Sequence, residues 1–262
     1  MSQKFEDNPT IKINKKYINS LDSLVINESK KDLKILKKIT PFCFPLSKIS
    51  HTTRGLPLQK KLTKTETAYI VYRGKHISRY YLSDSQEYLP KSVVDSNKKA
   101  KELLMPKIIS QRIVAHVTKP KDHIIIMSYA DKKRVLSVDT VENTIMKNPS
   151  YEIELITGLF NSKFISWYCY RYIFAKAIRT MDFDDYYVGK IPIPKGIEKN
   201  KLSKKIIEKV SYLLKLSEKL GNKNEFSRDE IVKKIDREID ELVYKLYKLT
   251  PEEIKIVKSG FE

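Results

Sequence analysis

The hydrophobic residues of this chain change their period once, and that change constrains the fold more than any single motif. Between residues 68 and 138 they fall in short β-branched and aromatic runs, at 68–72 (AYIVY), 107–117 (KIISQRIVAHV), 123–129 (HIIIMSY) and 134–138 (RVLSV). Turn chemistry separates the runs at Arg73-Gly74, Lys119-Pro120-Lys121-Asp122 and Asp131-Lys132. From residue 151 the spacing becomes helical. Ile153, Ile156, Leu159 and Phe160 form one stripe, and Ile165, Tyr168 and Tyr172 continue it beyond a break at Asn161-Ser162. Ser150 is the expected N-cap. Pro192 and Pro194 then forbid a helix.

The tail predicts two amphipathic helices. Leu202, Ile206, Val210, Leu213 and Leu220 line the first, which Gly221-Asn222 ends. Ser227 with Glu230 is the expected capping box of the second, lined by Ile231, Ile235, Ile239, Leu242 and Leu246. Thr250-Pro251-Glu252-Glu253 opens a last short helix. Near the N-terminus KKDLKILKKI reads as a helix capped by Asn27 or Ser29. The expected fold is α+β. A polar and helical segment spans 1–40, a mixed or antiparallel β-rich domain with its helices spans 41–198, and an antiparallel helical hairpin spans 199–262.

Charge narrows the partner. Lys+Arg number 51 against 32 acidic residues, a formal net charge of +19 over 262 residues. Lys-rich, Gly-poor chains also arise in AT-rich genomes, yet Glu usually rises with Lys in such proteins. A surplus this large on a chain that is 41% hydrophobic implies a folded protein with an anionic partner, nucleic acid first. No stretch of 18 apolar residues exists, and the polar start MSQKFEDNPT is unlike a signal peptide, so a cytoplasmic location is expected. Cys43 and Cys169 are too few for a metal cluster.

Catalytic motifs are missing. Seven glycines, none in a G-x-G arrangement, argue against a cradle for S-adenosylmethionine. Asn148-Pro149-Ser150-Tyr151 lacks the second Pro of an amino-methylating loop. Asp182, Asp184 and Asp185 could hold Mg²⁺, but a helix-capping acidic turn fits their spacing better. His51, His76, His116 and His123 form no ligand spacing. No catalytic residue and no metal ligand is therefore expected.

Several segments in order resemble a known family. FPLSKISHTTRGLPLQKK is similar to the opening of specificity domains in type I restriction subunits. YIVYRGKHISRYYL resembles the Gly-x-x-Ile-x-Arg-Tyr segment of the TaqI-like C-terminal specificity domain, which is fused to adenine-N6 methyltransferases and combined restriction–methylation enzymes. MPKIISQRI, ITGLFNSKFISWYCYRY and VGKIPIPK are similar to its later strand, helix and closing segments, and IDELVYKLYKLTPEEIKIV to the usual C-terminal ending.

The resemblance implies a target-recognition module that reads duplex DNA for a partner methyltransferase or endonuclease. S-adenosylmethionine and Mg²⁺ would then belong to partner domains. Family members usually carry a methyltransferase domain upstream, so the chain is expected to be a stand-alone subunit, a truncated product or a fragment. The C-terminal helices would dock that partner or a second copy of the chain, or pack on their own domain. A divergent nuclease or methyltransferase, or a basic RNA-binding protein, are the competing readings.

The residues themselves suit DNA. Base edges need paired donors, and phosphates need cations. Arg54-Gly55 with Lys60 and Lys61 forms a basic loop, or else an ordinary turn with solvated lysines. Arg73, Lys75, His76, Arg79, Tyr80 and Tyr81 interleave cations with aromatics; alternatively Tyr80 and Tyr81 pack in the core while Arg79 binds an internal carboxylate. Lys107 and Gln111 share one face of a strand and Arg112 takes the other, so one set must be buried. Lys119 and Lys121 flank a Pro turn and are candidate phosphate contacts. Asn161 and Lys163 are candidates where the helix breaks, unless Asn161 satisfies backbone groups there.

Overall fold

The computed structural model describes residues 30–116, 122–177 and 182–261. Asn27, Ser29, Lys119 and Lys121 lie outside the described residues. A first helix, α1 (Lys30–Ile39), leads into β1 (Cys43–Pro45) and β2 (Ser50–Arg54). Then come β3 (Tyr69–Tyr72), β4 (Ile77–Ser78), β5 (Tyr81–Leu82) and β6 (Tyr88–Leu89), followed by short helices α2 (Lys91–Asp95) and α3 (Lys98–Leu103). The strands β7 (Lys107–Gln111), β8 (Ala115–His116), β9 (His123–Ile124), β10 (Ser128–Asp131), β11 (Leu136–Ser137) and β12 (Val141–Met146) complete the β-rich part. Helices α4 (Ile153–Asn161), α5 (Lys163–Tyr168) and α6 (Asp185–Val188) precede β13 (Pro192–Pro194). The chain ends in α7 (Lys201–Leu220), α8 (Lys223–Arg228), α9 (Glu230–Leu246) and α10 (Pro251–Lys258). The architecture is α+β, as expected.

The central sheet is antiparallel, in the order β10-β7-β12-β2. Residues opposite one another share a face, so Arg54, Glu142, Ser110 and Ser128 lie on one side. Helix α4 packs there, and Asn161 binds both the N–H and the C=O of Ser128 at 2.9 Å. The opposite face carries Lys107, Ile109, Tyr129, Asp131 and Asn143. It meets the smaller β11-β3-β6 sheet, which closes its own core of Leu56, Val71, Leu89, Val94, Leu103, Leu136, Val138 and Ile145.

Polar groups join the two sheets. Lys107 is fully buried, with Nζ 2.6 Å from Asp131 Oδ2 and 2.7 Å from the Val135 carbonyl of the segment entering β11. Asp131 Oδ2 also accepts the Val135 N–H at 2.9 Å. Burial lowers the Lys107 pKa and raises that of Asp131, and each partner's charge opposes the other's shift. Ser137 Oγ lies 2.9 Å from Asn143 Oδ1 beside this pair.

One hydrophobic cluster runs from α1 to the last helix, uniting Ile35, Leu36, Ile39, Phe160, Ile206, Val210, Val243 and Val257. Breaks at 40 and 198 therefore divide the sequence without dividing the core. The β1–β13 pairing (Cys43↔Pro194) ties the first strand to the closing Pro-Ile-Pro segment. Helix α7 packs on α4 and on α9.

Local details depart from the sequence reading. Helix α4 starts at Ile153 without a side-chain cap, and Ser150 instead completes an Asx turn, its N–H 2.9 Å from Asn148 Oδ1. Ser227 lies inside α8; Asp229 caps α9 through the N–H groups of Ile231 and Val232, at 2.8 and 3.0 Å. Ile231 is 52% exposed, while Val232, Ile239, Val243 and Tyr244 are buried. Two aspartates set this phase: Asp236 faces Arg79, and Asp240 accepts the Lys163 N–H at 2.8 Å. The capping box of Thr250 and Glu253 opens α10 as expected.

Breaking a buried ion pair leaves one charge uncompensated. Lys107→Met is expected to lower stability by about 3–5 kcal/mol, with a smaller loss when Asp131→Leu is added. Urea unfolding midpoints of the two variants measure this, and a Lys107→Met loss below that of the double variant would contradict it.

Candidate nucleic-acid interface

Strands β2, β3 and β7 all end at the turn that leads from β11 into β12, residues 138–141. The Gly55 N–H reaches the Val141 carbonyl at 2.8 Å, and Leu56 N–H reaches Ser137 O at 2.7 Å. Val138 N–H donates to Tyr72 O at 3.0 Å, and the Gly74 N–H to Thr140 Oγ1 at 3.0 Å. Arg112 N–H donates to Thr140 O at 3.2 Å. A Cβ on Gly55 would lie 2.1 Å from Val138 O, and one on Gly74 would lie 2.7 Å from Thr140 O. Both Arg-Gly dipeptides need glycine because the strand ends press directly on this turn.

The turn thereby gathers cations from four separated stretches. Arg54 Nε donates to the Asp139 carbonyl at 2.8 Å, and its Nη2 lies 3.4 Å from Asp139 Oδ2. Gln59 donates to the same carboxylate, which brings exposed Lys60 and Lys61 to the rim. Arg73 pairs with Glu87 through Nε at 2.5 Å and Nη2 at 2.8 Å. Arg112 Nη2 lies 2.5 Å from Asp182 Oδ2. Exposed Lys75 follows Gly74, and among the described residues Lys60, Lys61 and Lys75 have no ion pair. The rim thus joins Arg54, Gly55, Lys60, Lys61, Arg73, Lys75 and Arg112 of the sequence candidates.

Hydrogen bonding to Arg73 holds the Glu87 carboxyl below its ordinary range. The hydrogen bond to Asp182 raises the Arg112 pKa, so both guanidiniums stay charged. His76 Nδ1 accepts the Arg73 N–H at 3.1 Å, and burial followed by the Lys75 charge lowers its pKa. Its ring is a neutral support for the Arg73-Gly74 turn. Glu142, buried on the sheet between the strands of Arg54 and Arg112, is pushed up to about 7 by burial and then by Asp184.

Other candidates fall elsewhere, for physical reasons. Lys107 is committed to the buried pair with Asp131, so it touches no ligand. Asn161 is fully buried and spends its amide on Ser128. Arg79 binds Asp236 at 2.5 Å, and Tyr81 is buried against Phe226 at a ring separation of 5.3 Å. These two fit the alternative in which the Arg-Tyr-Tyr segment serves the core. Gln111 turns inward and donates to Ile77 O at 2.7 Å. Lys163 sits at the start of α5, its Nζ 3.7 Å from Asp240 Oδ2 on α9. Lys119 and Lys121 lie outside the described residues.

The sequence reading missed Gln59, Glu87, Asp139 and Thr140, whose short polar stretches gave no sign that they buttress cations. It also missed Ile113, which is 64% exposed next to Arg112. The acidic triplet does separate work: Asp182 holds Arg112, Asp184 caps α6 through the Tyr187 N–H at 3.2 Å, and Asp185 accepts the Thr52 N–H at 2.6 Å.

Residues 69–193 match the TaqI-like C-terminal specificity domain. No curated protein matches the chain. Among solved structures, the type IIG restriction endonuclease BpuSI is similar at 12% identity and a TM-score of 0.47, over 89% of this chain and 34% of that one. The HsdS subunit from Thermoanaerobacter tengcongensis is similar at 9% identity and a TM-score of 0.40, over 83% of this chain and 51% of its own. The chain therefore spans about a third of the first and about half of the second.

Two outcomes follow from the geometry. Gly55→Ala forces a Cβ onto the Val138 carbonyl and is expected to cost about 1–3 kcal/mol, read from urea midpoints; an unchanged midpoint would refute the close approach. Glu142 has a folded pKa of about 7 against an ordinary 4.5, so its contribution is fully present below pH 4.5 and is lost as pH rises through 7. Comparing wild type with Glu142→Gln across that window should show a shallower decline in the variant. Identical pH profiles would disprove the assignment.

Proposed function

We propose that this chain, whose residues 69–193 match the TaqI-like C-terminal specificity domain, is a DNA-recognition unit of a restriction–modification system that reads duplex DNA with the 138–141 rim. The observation that carries this reading is the convergence of Arg54, Lys60, Lys61, Arg73, Lys75 and Arg112 on one turn. Lysines without a carboxylate partner suit phosphates, and planar guanidiniums suit the O6 and N7 acceptors of guanine. Ile113 adds an aliphatic surface of the kind that meets a thymine methyl.

The target handed on would be an adenine, methylated by a partner enzyme that supplies S-adenosylmethionine, with Mg²⁺ belonging to an endonuclease partner. The glycines form no G-x-G turn, and no cluster of three or more candidate metal ligands occurs among the described residues. The outer face of α7 and α9, with Lys205, Glu208, Lys234, Arg237, Glu241 and Lys245 exposed, is the docking surface for that partner, and a second copy of the chain would use the same face. No helix among the described residues is long and apolar enough to cross a membrane, and a protein that reads duplex DNA would work in the cytoplasm.

Binding to a randomised duplex pool, followed by sequencing of the retained DNA, tests the proposal directly. Lys60→Ala and Lys61→Ala should weaken every duplex alike and each flatten the log–log salt slope by about 0.9. Arg112→Ala should cost about 1–3 kcal/mol and relax preference at one base pair. Enrichment of structured RNA over duplex DNA, or measurable S-adenosylmethionine binding in a calorimeter, would overturn it.

A further inference from the structure

Each arginine of the rim comes with its own carboxylate. Arg54 is held by Asp139, Arg73 by Glu87, and Arg112 by Asp182. A surface shaped only for affinity to a polyanion would carry no acids beside its cations, because each acid repels phosphate. The pairing is also directional. In Arg54 and in Arg73 the contacts use Nε and Nη2, which leaves Nη1 with both of its protons. The three arginine side chains remain 47%, 29% and 26% exposed.

The acids are themselves fixed. Asp139 sits in the turn pinned by β2, and Gln59 donates to it. Glu87 lies where the Val71 N–H takes its carbonyl at 2.8 Å and its own N–H meets Ser85 Oγ at 3.3 Å. Asp182 forms a β-bridge with Ile113, and the next residue, Phe183, donates its N–H to the Arg112 carbonyl at 2.8 Å. A guanidinium clamped from behind loses less rotamer freedom when it meets a base.

Resting on the DNA-reading function above, we propose that Asp139, Glu87 and Asp182 are positioning residues that set sequence specificity. They aim the remaining guanidinium edges at guanine O6 and N7. They also repel phosphates from any duplex whose bases leave those edges unmatched, so non-cognate DNA is held weakly. The lysines Lys60, Lys61 and Lys75, which form no ion pair among the described residues, supply affinity without selection.

The experiment uses the full chain and the duplex selected from a randomised pool. Binding is measured for that duplex, for single base-pair variants of it, and for an unselected duplex of equal length. Asp182→Asn and Glu87→Gln keep size and an acceptor while removing charge. Each is expected to bind the unselected duplex more tightly than wild type does, and to lose about tenfold in discrimination at one base pair. Lys60→Ala serves as the control, lowering both affinities in parallel. Urea midpoints establish that the variants fold. A folded variant with wild-type discrimination overturns the proposal, as does one that weakens selected and unselected duplexes equally, the signature of mere structural support. If wild type enriches no sequence at all, the DNA-reading function itself fails and takes this inference with it.

Discussion

The close approach of two strand ends to the 138–141 turn is the constraint on which the rest depends. Gly55 and Gly74 each stand where a Cβ would strike a backbone carbonyl. That contact sets β2 and β3 against the same turn, although they belong to different sheets. The arginine preceding each glycine is then carried to the rim. A bulkier residue would push the strand end away and scatter the cations, since interiors this dense yield little to an added methyl. The Arg-Gly dipeptide is thus one device with two parts, a backbone that leans in and a side chain that projects out.

Behind the rim, the two sheets are joined by polar groups that leave little freedom to slide. Lys107, Asp131 and Val135 bond to one another, and Ser137 and Asn143 meet beside them. An apolar contact would tolerate a shift of register; a buried ion pair with two further hydrogen bonds does not. This rigidity would matter for the proposed reading surface, because paired hydrogen bonds to a base edge require the donors to be held within about half an ångström.

The periodic parts of the fold were legible in the sequence, because burial writes itself into spacing. The helix break at Asn161-Ser162 and the capping box at Thr250 appear where the pattern puts them. Strand β12 was not legible, though it lies in the middle of the central sheet. Its interior Glu142, Asn143 and Thr144 are polar yet buried, so no alternation marks it. The phase of α9 was missed for a related reason. Asp236 and Asp240 read as solvated charges, whereas one faces Arg79 and the other the Lys163 N–H. Among the candidate residues, composition picks out cations in short loops, and the structure brings several of them to one turn. Lys107 and Asn161 misled because identity shows that a group is polar and only the fold shows which partner it has already taken.

That distinction separates the basic residues into three classes with different consequences. Lys107 is fully spent inside the protein and contributes rigidity. Arg54, Arg73 and Arg112 are half spent, each neutralised from one side and open on the other. Lys60, Lys61 and Lys75 are unspent among the described residues. Net charge counts all seven alike, yet only the unspent lysines would act on a duplex at full strength and at a distance. The half-spent arginines present a weak field to a distant phosphate and a strong, directional one at hydrogen-bond range. A duplex would therefore be drawn in by lysine and judged by arginine, a division that the net charge of +19 does not register.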